Sequence, residues 1–160
     1  MSTLIRSLGA PDRLAALGVA TVAISLLLPW YGLTFAGGLL KTPAGTFGFV
    51  EAALVLTIGG AAFLIVRAAS GRDLPRPLHT GTLLAVAGAW AAVLIAYRIL
   101  DRPDFEPLDV ERVGLRYGIF VALAGAGLIV VGGLRKRREE LAAERKGSDR
   151  PEQQRERAIS

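Results

Sequence analysis

Between Tyr117 and Leu134 the chain runs for 18 residues without a charge, and Arg135, Lys136, Arg137 and Arg138 follow at once. A peptide group in hydrocarbon has no water to bond to, so such a run folds as a helix, and about 20 helical residues cross a bilayer. Basic flanks stay on the cytoplasmic side of a span. The sequence therefore predicts a membrane helix over 114–134 with its carboxyl end in the cytoplasm.

The other charges are gathered in the same way. No charge stands between Leu14 and Leu40, and Pro77 to Tyr97 is a second uncharged stretch of 21 residues. Only 15 residues separate Glu51 from Arg67, so a span there reaches membrane length only if Glu51 lies in its first turn. The expected spans are 14–33, 47–67, 80–100 and 114–134, with Thr80 as an N-cap. The expected fold is an all-α integral membrane protein: a four-transmembrane-helix up-down bundle over 1–134, and a tail over 135–160. The tail continues as helix to about Lys146. Past Gly147 its polar, mixed-charge residues cannot bury a core, and disorder is expected.

Segment 1–13 resembles the start of a signal peptide. The uncharged stretch after it is longer than a signal h-region, so an uncleaved span is expected. Pro29 ends or kinks span one. Loops are expected at 34–46, 68–79 and 101–113, marked by prolines, glycines and, in the last, five acids. With both termini cytoplasmic, the inner segments hold 14 Lys and Arg and the outer segments hold 5. This asymmetry sets N-in, C-in topology. Phe47-Gly48-Phe49-Val50 and Tyr117-Gly118-Ile119-Phe120 open spans two and four alike, through duplication or through convergence on small residues.

Helices in lipid associate by close backbone approach, which small residues four apart permit. Gly114, Gly118, Ala122 and Ala126 form such a stripe on span four. Gly59-Gly60 in span two is assigned to packing in the same way.

The chemistry available is sparse. The 160 residues include no cysteine, one histidine and one methionine. No catalytic set, cofactor site or metal site is expected, and no sequence motif of a hydrolase or nucleotide-binding loop occurs. His79 reads as a solvated residue at a helix start. The spans carry no charge in their central portions, which argues against pumps and ion-coupled carriers. A substrate held at mid-span would have Thr57 or Trp90 to bind it, and no other feature of the sequence points to one. The basic run Arg135, Lys136, Arg137 and Arg138 is a topology signal first and a lipid-headgroup contact second.

One constellation stands out at the outer interface, where Glu51, Arg98 and Arg116 reach a common depth with Trp30, Tyr31, Tyr97 and Tyr117. The plainer reading is an aromatic belt with anchoring ion pairs. The functional reading is a shallow pocket that binds a lipid headgroup or small anion through Arg98 and Arg116.

Leu28-Pro29-Trp30-Tyr31 closing span one, the segment around Glu51, and Arg116-Tyr117-Gly118 opening span four resemble small four-span membrane proteins of actinobacterial type. The resemblance implies the fold and a bacterial plasma membrane, and no activity. Val50-Glu51 stands where a Trp-Glu pair would be expected. The expected role is a non-enzymatic membrane protein that associates with membrane lipids, with a second copy of itself or with another membrane protein. Nucleic acid is not an expected partner. The alternative is binding or transport of a lipid or small anion through the outer pocket.

Overall fold

The computed structural model describes residues 8–33, 40–41, 48–71, 79–100 and 113–159, with side chains described outside the strands and as far as Lys146. Among these are four helices: α1 (Ala10–Ser25), α2 (Phe49–Ala69), α3 (Thr80–Leu100) and α4 (Tyr117–Ile159). Helices α2, α3 and the Tyr117–Lys146 portion of α4 are long and apolar enough to cross a membrane. Three short strands join them: β1 (Tyr31–Leu33), β2 (Leu40–Lys41) and β3 (Val113–Leu115). The acidic segment 101–112, residues 1–7, and most of the other two expected loops lie outside the described residues.

The sheet was not expected. Its order is β2-β1-β3, antiparallel throughout, with Tyr31 opposite both Lys41 and Leu115. It corrects two span boundaries. Span one, expected to run to residue 33, is helical only to Ser25 and leaves through tight turns into β1. The cause is Pro29, whose ring keeps the residue before it out of the helical region. Span four begins at Tyr117, not 114, because Gly114 pairs with Gly32 in the sheet.

Helix α4 lies between α1 and α3, and α2 packs on α3 and α1. Glycine makes the approach possible. On its α1 side, a Cβ at Gly118 would meet the Pro29 carbonyl, one at Gly125 the Gly18 carbonyl, and one at Gly132 the Pro11 carbonyl. These three recur every seven residues, the interval at which a helix face returns to an antiparallel neighbour. On its α3 side, Gly133 lies against Gly81 and Ala85, and Gly88 against Ile129 and Val130.

The expected stripe is corrected accordingly. Ala122 and Ala126 are buried in the core with Ile119 and Ile129, but Gly114 is in a strand. Gly118 keeps its expected place as a close approach, and Gly125, Gly132 and Gly133, outside the expected stripe, make others. Gly59 and Gly60 face open space, so they serve no packing within the described chain. Gly48 precedes α2 while Gly118 lies inside α4, so the two similar openings occupy different positions.

Past the four cations, α4 continues as one helix to Ile159, where disorder was expected beyond Gly147. Its Ala, Glu, Arg, Gln and Lys residues have high helix propensity, and a helix satisfies its own backbone without a core.

In sodium dodecyl sulfate unfolding titrations, Gly125→Val is expected to lower stability by about 1–3 kcal/mol through overpacking. Gly59→Ala is expected to leave it unchanged or raise it by up to about 1 kcal/mol.

Candidate functional site

Glu51 sits at the third position of α2, where its carboxylate can serve the helix start. Its Oε2 accepts from the Gly48 backbone N–H at 3.0 Å, and Gly48 in turn accepts from the Ala52 N–H. Arg98, in the last turn of α3, reaches across. Its Nε donates to Glu51 Oε1 at 2.6 Å, and its Nη2 lies 2.5 Å from the same oxygen in an ion pair. Glu51 is only 4% exposed and the Arg98 side chain 12%. A carboxylate removed from water needs such partners, and both of its oxygens have them.

Arg116, the third member of the expected cluster, does not join. Its side chain is exposed, and among the described residues it forms no ion pair. Its backbone N–H donates to the Trp30 carbonyl at 2.9 Å, which ties β1 to the start of α4. The structure thus brings Glu51 and Arg98 together as a staple between α2 and α3 and leaves Arg116 on the surface.

The aromatic residues also divide. Tyr97 and Tyr117 are exposed at the sheet end. The side chain of Tyr31 lies outside the described ones. Trp30, expected at the headgroups, is instead turned inward and is 1% exposed. Its indole Nε1 donates to the Ser25 carbonyl at 2.8 Å. The carbonyls that end a helix need donors, and in an apolar setting a buried Trp N–H supplies one. Trp30 therefore closes the end of α1 and packs with Leu54, Ile95 and Ile119.

At the opposite end the sequence reading missed two clamps. Lys136 Nζ donates to Asp12 Oδ1 at 2.6 Å, with both side chains largely buried. Lys136 is thus withdrawn from the expected headgroup contact, while Arg135, Arg137 and Arg138 remain exposed. Asp12 stands in the first turn of α1, where a carboxylate also favours the helix dipole. That position was the available signal. One turn beyond Lys136, Glu140 accepts from the Gly81 N–H at 3.3 Å and lies 3.8 Å from His79 Nδ1. Glu140 therefore caps α3 from another helix. Thr80, expected to be that cap, is the first helical residue and is buried.

An outward groove of about 430 Å³ lies between α2 and α3, lined by Thr57, Gly60, Phe63, Val86 and Trp90 among others. The Thr57 hydroxyl donates to Ala53 O at 2.7 Å within its own helix. Among the described residues no group of three His, Cys, Asp or Glu side chains is placed to hold a metal ion. Comparison with protein-family models, with curated proteins and with solved structures gives no match.

Arg98→Ala leaves a buried carboxylate without its cation and is expected to cost about 3–5 kcal/mol in unfolding titrations. Glu51→Gln with Arg98→Met keeps an acceptor for Gly48 and is expected to recover most of that loss in a double-mutant cycle. Arg116→Ala is expected to change stability by less than about 0.5 kcal/mol.

Proposed function

We propose that the chain is a non-enzymatic integral membrane protein of four spans, with both termini cytoplasmic in a bacterial plasma membrane. It acts by associating with other membrane components. The observation that carries this reading is the closure of the Glu51 site. A pocket for an anion needs an arginine to spare, and the buried Arg98 is committed to Glu51 by a hydrogen bond and an ion pair. The other arginine of the expected cluster, Arg116, is exposed and separate. This favours association over the alternative of an outer binding pocket, and what the molecule then offers to others is its outer surface and the extension of α4.

Several features support four crossings. α1 with its turns runs antiparallel along α4 from Gly132 to Gly118, and so covers much of the same depth as a helix of spanning length. The excess of Lys and Arg in the inner segments favours the proposed orientation. The resemblance to small four-span actinobacterial proteins agrees with it.

Because the 160 residues contain no cysteine, single substitutions report position cleanly. In intact cells a membrane-impermeant maleimide is expected to label Lys41→Cys, and to label Lys146→Cys only after permeabilisation. Labelling of both from one side would refute the topology. Purification in mild detergent is expected to bring down a lipid or protein subunit in fixed proportion, and Glu51→Gln with Arg98→Met should retain it. Its loss in that pair would restore the pocket reading.

A further inference from the structure

We infer that Arg135 and Arg138 together hold the headgroup of an anionic phospholipid whose chain lies along Val131 and Leu134, and that neighbouring Lys136 takes no part. Such a contact deepens the membrane placement proposed above and presupposes it.

In sequence the four cations are equivalent. The fold separates them. Lys136 is committed to Asp12, with its side chain 15% exposed. Arg135 and Arg138 are exposed, and neither side chain has an ion pair or hydrogen bond among the described residues. The acid nearest in helical spacing to Arg137 is Glu140, which is taken up by the Gly81 N–H. Arg138 has Leu134, Arg135, Leu141 and Ala142 at its helical neighbour positions, none of them acidic; Arg135 has Glu139 one turn on, and the two form no ion pair among the described residues.

Two like charges three residues apart on one helix face sit roughly 5–6 Å from each other at Cβ. That repulsion is relieved by an anion placed between them. Guanidinium groups match phosphate oxygens in planar, bidentate pairs. The same face continues toward the sheet end as Leu134 and Val131, both exposed and apolar. An apolar track that runs into two unpaired guanidinium groups has the polarity of a phospholipid: chain below, phosphate above. A free phosphate would use only the upper half, and a second copy would bring Arg138 against Arg138.

The full chain in a nonionic detergent is titrated with phosphatidylglycerol, phosphatidylcholine or inorganic phosphate. Bound lipid is counted by native mass spectrometry, and the midpoint of thermal unfolding is followed. Phosphatidylglycerol is expected to bind about 25-fold more tightly than phosphatidylcholine, at about fivefold per juxtamembrane arginine. Arg135→Gln with Arg138→Gln should abolish the preference, and Arg135→Lys with Arg138→Lys should keep part of it. Lys136→Gln, made with Asp12→Asn so that no buried carboxylate is stranded, should leave it intact. The idea is overturned if no preference exists, if it survives the Arg→Gln pair, or if it falls equally in the Asp12→Asn and Lys136→Gln pair. Full competition by inorganic phosphate overturns it in favour of a free-anion site. If the preference is absent while a subunit still co-purifies, the association reading stands and only the lipid contact fails.

Discussion

Backbone against backbone, α4 is held between α1 and α3 by glycines that meet glycines, alanines and bare carbonyls. In hydrocarbon, apolar side chains gain nothing by leaving lipid for protein, so association depends on close packing and on weak backbone contacts. A methyl group at Gly18, Gly125, Gly132 or Gly133 would stand inside a neighbour's main chain. α4 is therefore the axis of the bundle. α2 has no such seam, since Gly59 and Gly60 look outward. Its attachment depends more on Leu54, Ile58, Ala61 and Ile65, and on the Glu51–Arg98 pair.

Among the described residues the buried ionic contacts lie at the ends of the bundle, where desolvation is least severe. Each also does the work of a helix terminus. Glu51 serves the start of α2, Asp12 lies in the first turn of α1, and Glu140 caps α3. A carboxylate at a helix start is favoured by the dipole and satisfies orphan N–H groups. For Glu51 and Asp12 the cation comes from a different helix, so one pair fixes both a helix end and the neighbour beside it.

Much of this was legible in the sequence. Uncharged runs bounded by charge gave α3 to the residue and α2 to within two, because a bilayer imposes a length. The spacing from Arg67 placed Glu51 in a first turn, and its depth shared with Arg98 hinted at a pair. What stayed hidden depends on rotation and on distant partners. Hydrophobicity cannot say that Trp30 turns inward, because an indole suits both a headgroup layer and a core with an acceptor. Composition cannot say which of four consecutive cations faces Asp12, 124 residues earlier. The small-residue stripe was read at an interval of four, whereas the α1 seam of α4 repeats at seven. The strands are too short to leave a periodicity.

The clamps at the end opposite the sheet have a bearing on assembly. Asp12 and the start of α3 both find their partners on Lys136 and Glu140, near the end of α4's membrane-length portion. As the chain leaves the ribosome, the first helix therefore forms with an unmatched carboxylate, and the third with a bare N–H. Both wait until residue 140 has been made. The final stretch of translation thus locks elements laid down long before it, and a chain cut short of Lys136 would be released with both ends open.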